Sequence, residues 1–320
     1  MASLLPTLQK TWEHHENQIL VAQVSADLQN RQFCLAFKNQ LKALTAFPWT
    51  VVGSSSSNVG TFSATDGVDR WTTTTDIAIN NWIIVRQTAF GFNFDMLIQR
   101  SVSNLTAVYI SSGDGFTGGA LTTRPTATDE VAIITSGAAD LSSLSRHIMT
   151  VSQSTDGTSL RMWLFAGSAV KSMLIIDKMK NPISQLTKPW IATWTPTVTH
   201  AGLFLETGTW FGYHAGALTF ATTSEAVRGS TATQVMLGEF TAGQVANELS
   251  GSYFMAPIGA LCVTNTKRGR HGELYDLWTG SAILTNGDTY PGAAESPLHQ
   301  FVQVGVLIFP FPPTVVPLTA

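Results

Sequence analysis

The sequence predicts a mainly β protein: an antiparallel β-sandwich or barrel-like body with a long N-terminal α-helical segment. Three observations carry that prediction. Short runs rich in β-branched and aromatic residues recur from residue 49 to residue 309, with Gly, Ser, Asn and Asp clusters between them. Strand-like runs never alternate with helix-like ones, which argues against a doubly wound parallel sheet. Apolar residues recur at steps of three and four without Gly or Pro in one long stretch, residues 17–44.

Residues 1–16 read as an extended arm, Leu4-Leu5-Pro6, followed by the charged patch Glu13-His14-His15-Glu16. Over 17–44 the residues Ile19, Leu20, Val24, Leu28, Phe33, Leu35, Phe37, Leu41 and Leu44 predict one long helix or two in line. Pro48 lies just beyond the point where that helix must end. A helix apolar on more than one face needs partners, in its own β body or in neighbouring subunits. The expected division is an arm and helical segment over 1–47 and a β-rich body over 48–320. The body can hold two packed subdomains, and it closes on the Pro-rich tail 310–317.

Strands are predicted at 49–52, 82–86, 94–98, 107–110, 131–134, 147–152, 160–165 and 172–177. Shorter ones are predicted at 191–194, 198–200, 218–221 and 259–264, and a longer one at 301–309. Ser154-Thr-Asp-Gly157 is a hairpin signal between two of them. Residues 241–249 suit one short helix. Strands at such short spacing, joined by turn residues, indicate antiparallel sheets packed as a sandwich or barrel.

Charged residues make up 12% of the chain, roughly half the usual fraction. Such a surface repels copies of itself weakly and suits a subunit that packs against others. The formal net charge of -3 argues against a nucleic-acid binder, which needs a concentrated Lys/Arg face. Cys34 and Cys262 lie far apart without metal-binding spacing, and are read as buried thiols of a protein folding in a reducing cytosol. The N-terminus lacks the basic run and long apolar stretch of a signal peptide. No apolar run reaches the roughly 20 residues of a membrane helix, so membrane insertion is not expected.

The densest mixture of charge, aromatic residues and glycine is residues 267–278. Arg268, Arg270, His271, Glu273 and Asp276 can pair among themselves, and Leu274, Tyr275, Leu277 and Trp278 supply an apolar side. One reading is a surface loop and edge strand whose charges anchor each other. The sharper reading makes Arg268, Arg270, His271, Glu273, Tyr275, Asp276 and Trp278 a subunit-contact surface. Catalytic use of His271 with Glu273 or Asp276 is the competing view.

Other candidate chemistry is thin. Asp66-Gly-Val-Asp-Arg-Trp71 sets two carboxylates near an arginine, but nothing in the spacing fixes them across a sugar ring as a glycosidase requires. Asp76 and Asp95 are equally scattered. A turn with an Asp–Arg contact is the simpler reading. Trp71 and Trp82 can stack on sugars if exposed, and otherwise fill a core. His14 and His15 point apart on any regular backbone, and His200 with His214 forms no ligand set, so no metal is expected. The Gly-rich loop 113–119 lacks a Lys-Ser/Thr ending and so is a turn rather than a phosphate cradle. No Gly-x-Ser-x-Gly elbow is present. No catalytic residue and no cofactor is assigned.

Several segments in succession carry a resemblance: Phe47-Pro-Trp-Thr-Val-Val-Gly-Ser-Ser55, Asp66-Gly-Val-Asp-Arg-Trp71, Gly115-Phe-Thr-Gly-Gly119 with Arg124-Pro-Thr-Ala-Thr-Asp-Glu130, Ser154-Thr-Asp-Gly157, Asp177-Lys-Met-Lys-Asn-Pro182, 269–278 and Gly287-Asp-Thr-Tyr-Pro291. In this order the chain resembles virion structural proteins of tailed bacteriophages. The resemblance implies a particle component made in the host cytoplasm. Its expected place is the tail or baseplate, as a symmetric homo-oligomer contacting copies of itself and other virion proteins. A capsid decoration or head–tail connecting protein is the alternative. A carbohydrate-binding module at the tail tip, or a hydrolase, would instead take a host surface glycan.

Overall fold

The computed structural model describes residues 12–14, 18–20, 25–58, 65–91, 93–102, 105–110, 130–134, 147–166, 169–177, 190–194, 199–204 and 210–216, with short strands between 225 and 311. Side-chain packing is described for Glu13 and within 25–58, 65–100, 148–164 and 172–176. These residues are mostly antiparallel β with one α-helix.

The first strands are β1 (Trp12–His14) and β2 (Gln18–Leu20), followed by helix α1 (Ala26–Ala43). Then come β3 (Thr50–Ser54), β4 (Trp82–Gln87), β5 (Phe94–Val102), β6 (Leu105–Ile110) and β7 (Glu130–Ile134). These five form one sheet in chain order, each antiparallel to the next.

A second sheet begins with β8 (His147–Ser154), β9 (Ser159–Ala166) and β10 (Ala169–Asp177). It continues through β11 (Trp190–Trp194), β12 (Thr199–Phe204) and β13 (Trp210–Gly216). β1 and β2 both pair with β8 along the edge opposite β9.

The expected helix over 17–44 is corrected at its start. Residues 18–20 are a strand on β8, with Ile19 opposite Ile148. The helix begins only after Ser25, whose hydroxyl accepts the Leu28 N–H at 3.2 Å. Such a cap satisfies an orphan backbone donor, and that chemistry fixes the boundary. Asp27 in the first turn and Lys42 in the last complement the helix dipole. The predicted single strand over 301–309 is likewise two strands, Gln300–Val304 and Leu307–Phe311, paired as a hairpin. The remaining predicted strands in 49–200 and 259–264 are present with shifted ends. The expected strand at 218–221 and helix at 241–249 lie outside the described residues.

α1 lies against β8 and β5 and buries Phe33, Cys34, Phe37 and Leu41, with Leu44 at its C-cap buried beside them. That spacing is the stripe a helix turns toward a core. Both sheets feed the same cluster: Ile83, Val85, Phe94, Met96 and Ile98 from one, Met149, Val151, Leu160, Met162, Leu164, Leu174 and Ile176 from the other. Along each strand these are alternate residues, as the pleat requires. The intervening Ile84, Leu97, Trp163, Met173 and Ile175 are buried as well, so both faces of these strands are covered. Among the described residues no helix is long and apolar enough to cross a membrane.

The β8–β9 turn confirms the hairpin signal. The Gly157 N–H donates to the Ser154 carbonyl at 2.8 Å. Asp156 Oδ1 accepts from the Thr158 N–H at 3.0 Å and from the hydroxyls of Ser154 and Thr158. Gly157 sits at φ +73°, and a Cβ built there comes within 2.5 Å of Ala89 Cβ and 2.6 Å of Phe47 Cγ. Gly157→Ala therefore combines a left-handed backbone penalty with overpacking, and is expected to cost about 3 kcal/mol. A urea-denaturation midpoint measures this; an unchanged midpoint would refute the packing of Phe47 over the turn.

Candidate functional site

The described parts of the sequence-predicted contact stretch fall on two sheets. Gly269–Gly272 is the last strand of a four-stranded sheet, with Arg270 opposite Cys262 and Gly272 opposite Leu261. Trp278–Gly280 belongs to a different, five-stranded sheet, between Met255–Pro257 and Leu307–Phe311. Trp278 is opposite Pro257 on one side and Ile308 on the other. The register irregularity between Leu261 and Cys262 marks a local bulge beside Arg270. The stretch is thus a connection between two sheets, with Arg270 and His271 on a sheet edge and Trp278 on an inner strand. Arg268, Glu273, Tyr275 and Asp276 lie outside the described residues.

The loop joining β3 to β4 holds the other sequence-predicted candidates, and each carboxylate there has a firm partner. Arg70 pairs with Asp66, Nη2 to Oδ2 at 2.5 Å and Nη1 to Oδ1 at 3.1 Å, and also donates to the Ser54 carbonyl at 3.0 Å. The hydrogen bond to Asp66 raises the guanidinium's pKa. Asp69 turns the other way, toward α1. Its Oδ2 accepts from Lys38 Nζ at 3.0 Å and Lys42 Nζ at 2.6 Å. Lys38 is buried and also donates to the Trp71 carbonyl at 2.7 Å. Burial pulls the Lys38 pKa down, more than Asp69 raises it. For Asp69, burial acts upward, but hydrogen bonds from Lys42 and Lys38 outweigh it and hold the carboxylate low. Asp66 and Asp69 therefore anchor two separate contacts and do not face each other across a cleft.

Asp76 gathers the rest of the loop. Its Oδ2 accepts the N–H groups of Thr72 (2.9 Å) and Thr73 (2.7 Å) and both hydroxyls, at 2.9 and 3.0 Å. Its Oδ1 accepts from Asn58 Nδ2 at 3.0 Å. Burial acts to raise this carboxyl, but the Thr73 backbone and the Thr72, Thr73 and Asn58 side chains outweigh it, leaving a pKa of about 2. The folded pKa is depressed below the usual value of about 3.9. The stability Asp76 confers is therefore present above about pH 4 and is lost as pH falls toward 2. Asp76→Asn turns amide hydrogens toward donors that need an acceptor. The variant is expected to unfold more readily at neutral pH and to lose wild-type acid sensitivity between about pH 4 and 2. Thermal melts across that range test this; parallel curves for both proteins would contradict it.

Trp71 and Trp82 are both buried, and the Trp71 indole N–H donates to the Ser55 carbonyl at 2.8 Å. They are core residues and offer no face to a sugar. Asp95 is fully buried in a bidentate pair with Arg86 directly across the β4–β5 ladder, at 2.6 and 2.8 Å. Cys34 is a buried thiol. Among the described residues no three His, Cys, Asp or Glu side chains gather as metal ligands.

One cluster has no signal in the local sequence. Gln153 on β8 accepts at Oε1 from the Trp49 indole (2.9 Å) and from Gln87 Nε2 (3.0 Å), and donates to the Phe47 carbonyl at 2.7 Å. Gln87 on β4 also donates to the Gly157 carbonyl at 2.6 Å. These buried amides tie one end of the two sheets together. What the described site chemistry does is lock loops and sheets in place. No known protein family, characterised protein or solved structure matches the chain.

Proposed function

We propose that the chain is a structural subunit of a tailed-bacteriophage particle, placed in the tail or baseplate and assembled as a symmetric oligomer. One observation supports this most: the carboxylates whose side chains are described are spent on internal ties. Asp66 grips Arg70, Asp69 two lysines, Asp76 a threonine-rich loop and Asp95 an arginine across a ladder. Chemistry spent on rigidity, in a chain with only 12% charged residues, suits a wall component. The two sheets are read as a sandwich with α1 held between them and the loop 65–77.

The contact surface is proposed to include the connection 268–278, with Arg270 and His271 on the edge of one sheet and Trp278 on an inner strand of another. Copies of the chain and other virion proteins are its partners. Sedimentation velocity at micromolar concentration is expected to show oligomers, and Arg270→Ala is expected to shift them toward smaller species. A compact monomer at every concentration would overturn the proposal.

A further inference from the structure

We infer that the β8 edge is a strand-acceptor site and that residues 12–20 are an exchangeable donor strand, supplied in the oligomer by a neighbouring copy. The inference rests on the oligomeric reading above. β8 is buried from Ile148 to Ser154, and among the described residues the short strands β1 and β2 are what stands beyond it on this side. They cover the edge in two blocks: Trp12, Glu13 and His14 opposite Ser154, Gln153 and Ser152, then Gln18, Ile19 and Leu20 opposite Met149, Ile148 and His147. An uncovered edge with this apolar content is a template for another strand.

The donor carries its own key. The Glu13 carboxylate accepts the Thr45 N–H at 2.6 Å, the Thr45 hydroxyl at 2.9 Å and the Ala46 N–H at 3.0 Å. It thereby closes backbone donors just past the end of α1. Every one of these contacts is between residues 12–20 and the body that follows Ser25. The same set forms equally well with the body of a second copy, so exchange costs no contact. Reach limits the choice of partner. From Leu20 to Ser25 the extended chain spans at most about 18 Å, so only a directly adjacent copy can supply the strand. A closed ring or trimer meets that condition.

His14 and Ser152 are cross-strand partners, at the spacing a disulfide bridges. Two single variants, His14→Cys and Ser152→Cys, each in a Cys262→Ser background, are mixed, unfolded, refolded together and oxidised. The expected product is a disulfide-linked pair containing one chain of each variant, resolved on a non-reducing gel. A double variant, His14→Cys/Ser152→Cys, is the control and is expected to give linked ladders rather than cross-linked monomer. Oligomers whose double variant closes only within each chain would overturn strand exchange while leaving the structural reading intact. Failure of the double variant to cross-link at all would overturn the β1–β8 register itself. A chain that stays monomeric would overturn the oligomeric reading and exchange with it.

Discussion

Trp49→Ala is expected to destabilise the protein by about 5 kcal/mol, which is enough to unfold many domains outright. The indole is 1% exposed and lies in the cluster that joins both sheets to the helix. It packs edge-to-face on Phe94 with ring centroids 6.0 Å apart, and Phe94 in turn meets Phe90 at 4.9 Å. Truncation leaves a large cavity and strands one of the two donors that satisfy Gln153 Oε1. Trp49→Phe separates the two effects. It refills most of the volume and removes only the indole N–H, so about 1–2 kcal/mol is expected. Denaturant midpoints for both variants check this. Equal losses would show that the hydrogen bond, not the volume, holds this junction.

Asp27→Ala is expected to cost about 3 kcal/mol, because it strands a cation that solvent cannot reach. Arg100 near the end of β5 is completely buried and ion-pairs with Asp27 in the first turn of α1. Its Nη1 donates to the Ile77 carbonyl at 2.9 Å, and burial lowers its pKa. Asp27 also receives Arg31 Nε at 2.8 Å. Removing the carboxylate leaves the enclosed Arg100 with the Ile77 carbonyl as its remaining partner among the described residues. Adding Arg100→Met to Asp27→Ala is expected to recover most of the loss, since a buried ion pair is often replaceable by apolar volume. Urea denaturation of the single and double variants measures the coupling. A cost below about 0.5 kcal/mol for Asp27→Ala would mean that Arg100 does not depend on this partner.

How far the sequence could be read depends on the range of the interactions involved. β4, β5, β8 and β9 were legible because each is a compact apolar run bounded by turn residues, and the turn at Gly157 declares itself in four residues. The start of α1 was not legible. Ile19, Leu20 and Val24 continue the three-and-four spacing, while the pairing that makes 18–20 a strand comes from β8, far along the chain. The run 301–309 concealed a hairpin because the sequence between its two strands, Gly305-Val306, contains no Asn, Asp, Ser or Pro. The candidate stretch 267–278 gives no sequence sign of a change of sheet, and strand pairing places 269–272 and 278–280 in different ones. Lys38, Gln87 and Gln153 gave no local signal. Their burial rests on partners, such as Asp69 for Lys38, that only the fold brings near.

Copy number in purified phage particles tests most directly whether the chain is the rigid, repeated virion component proposed above. Quantitative mass spectrometry of particles, with antibody labelling of this subunit, gives stoichiometry and location together. The expected result is a fixed number of copies, a whole multiple of the oligomer's own symmetry, at the tail or baseplate. Labelling spread over the capsid surface would move the subunit to a decoration role, and absence from purified particles would contradict the structural assignment altogether.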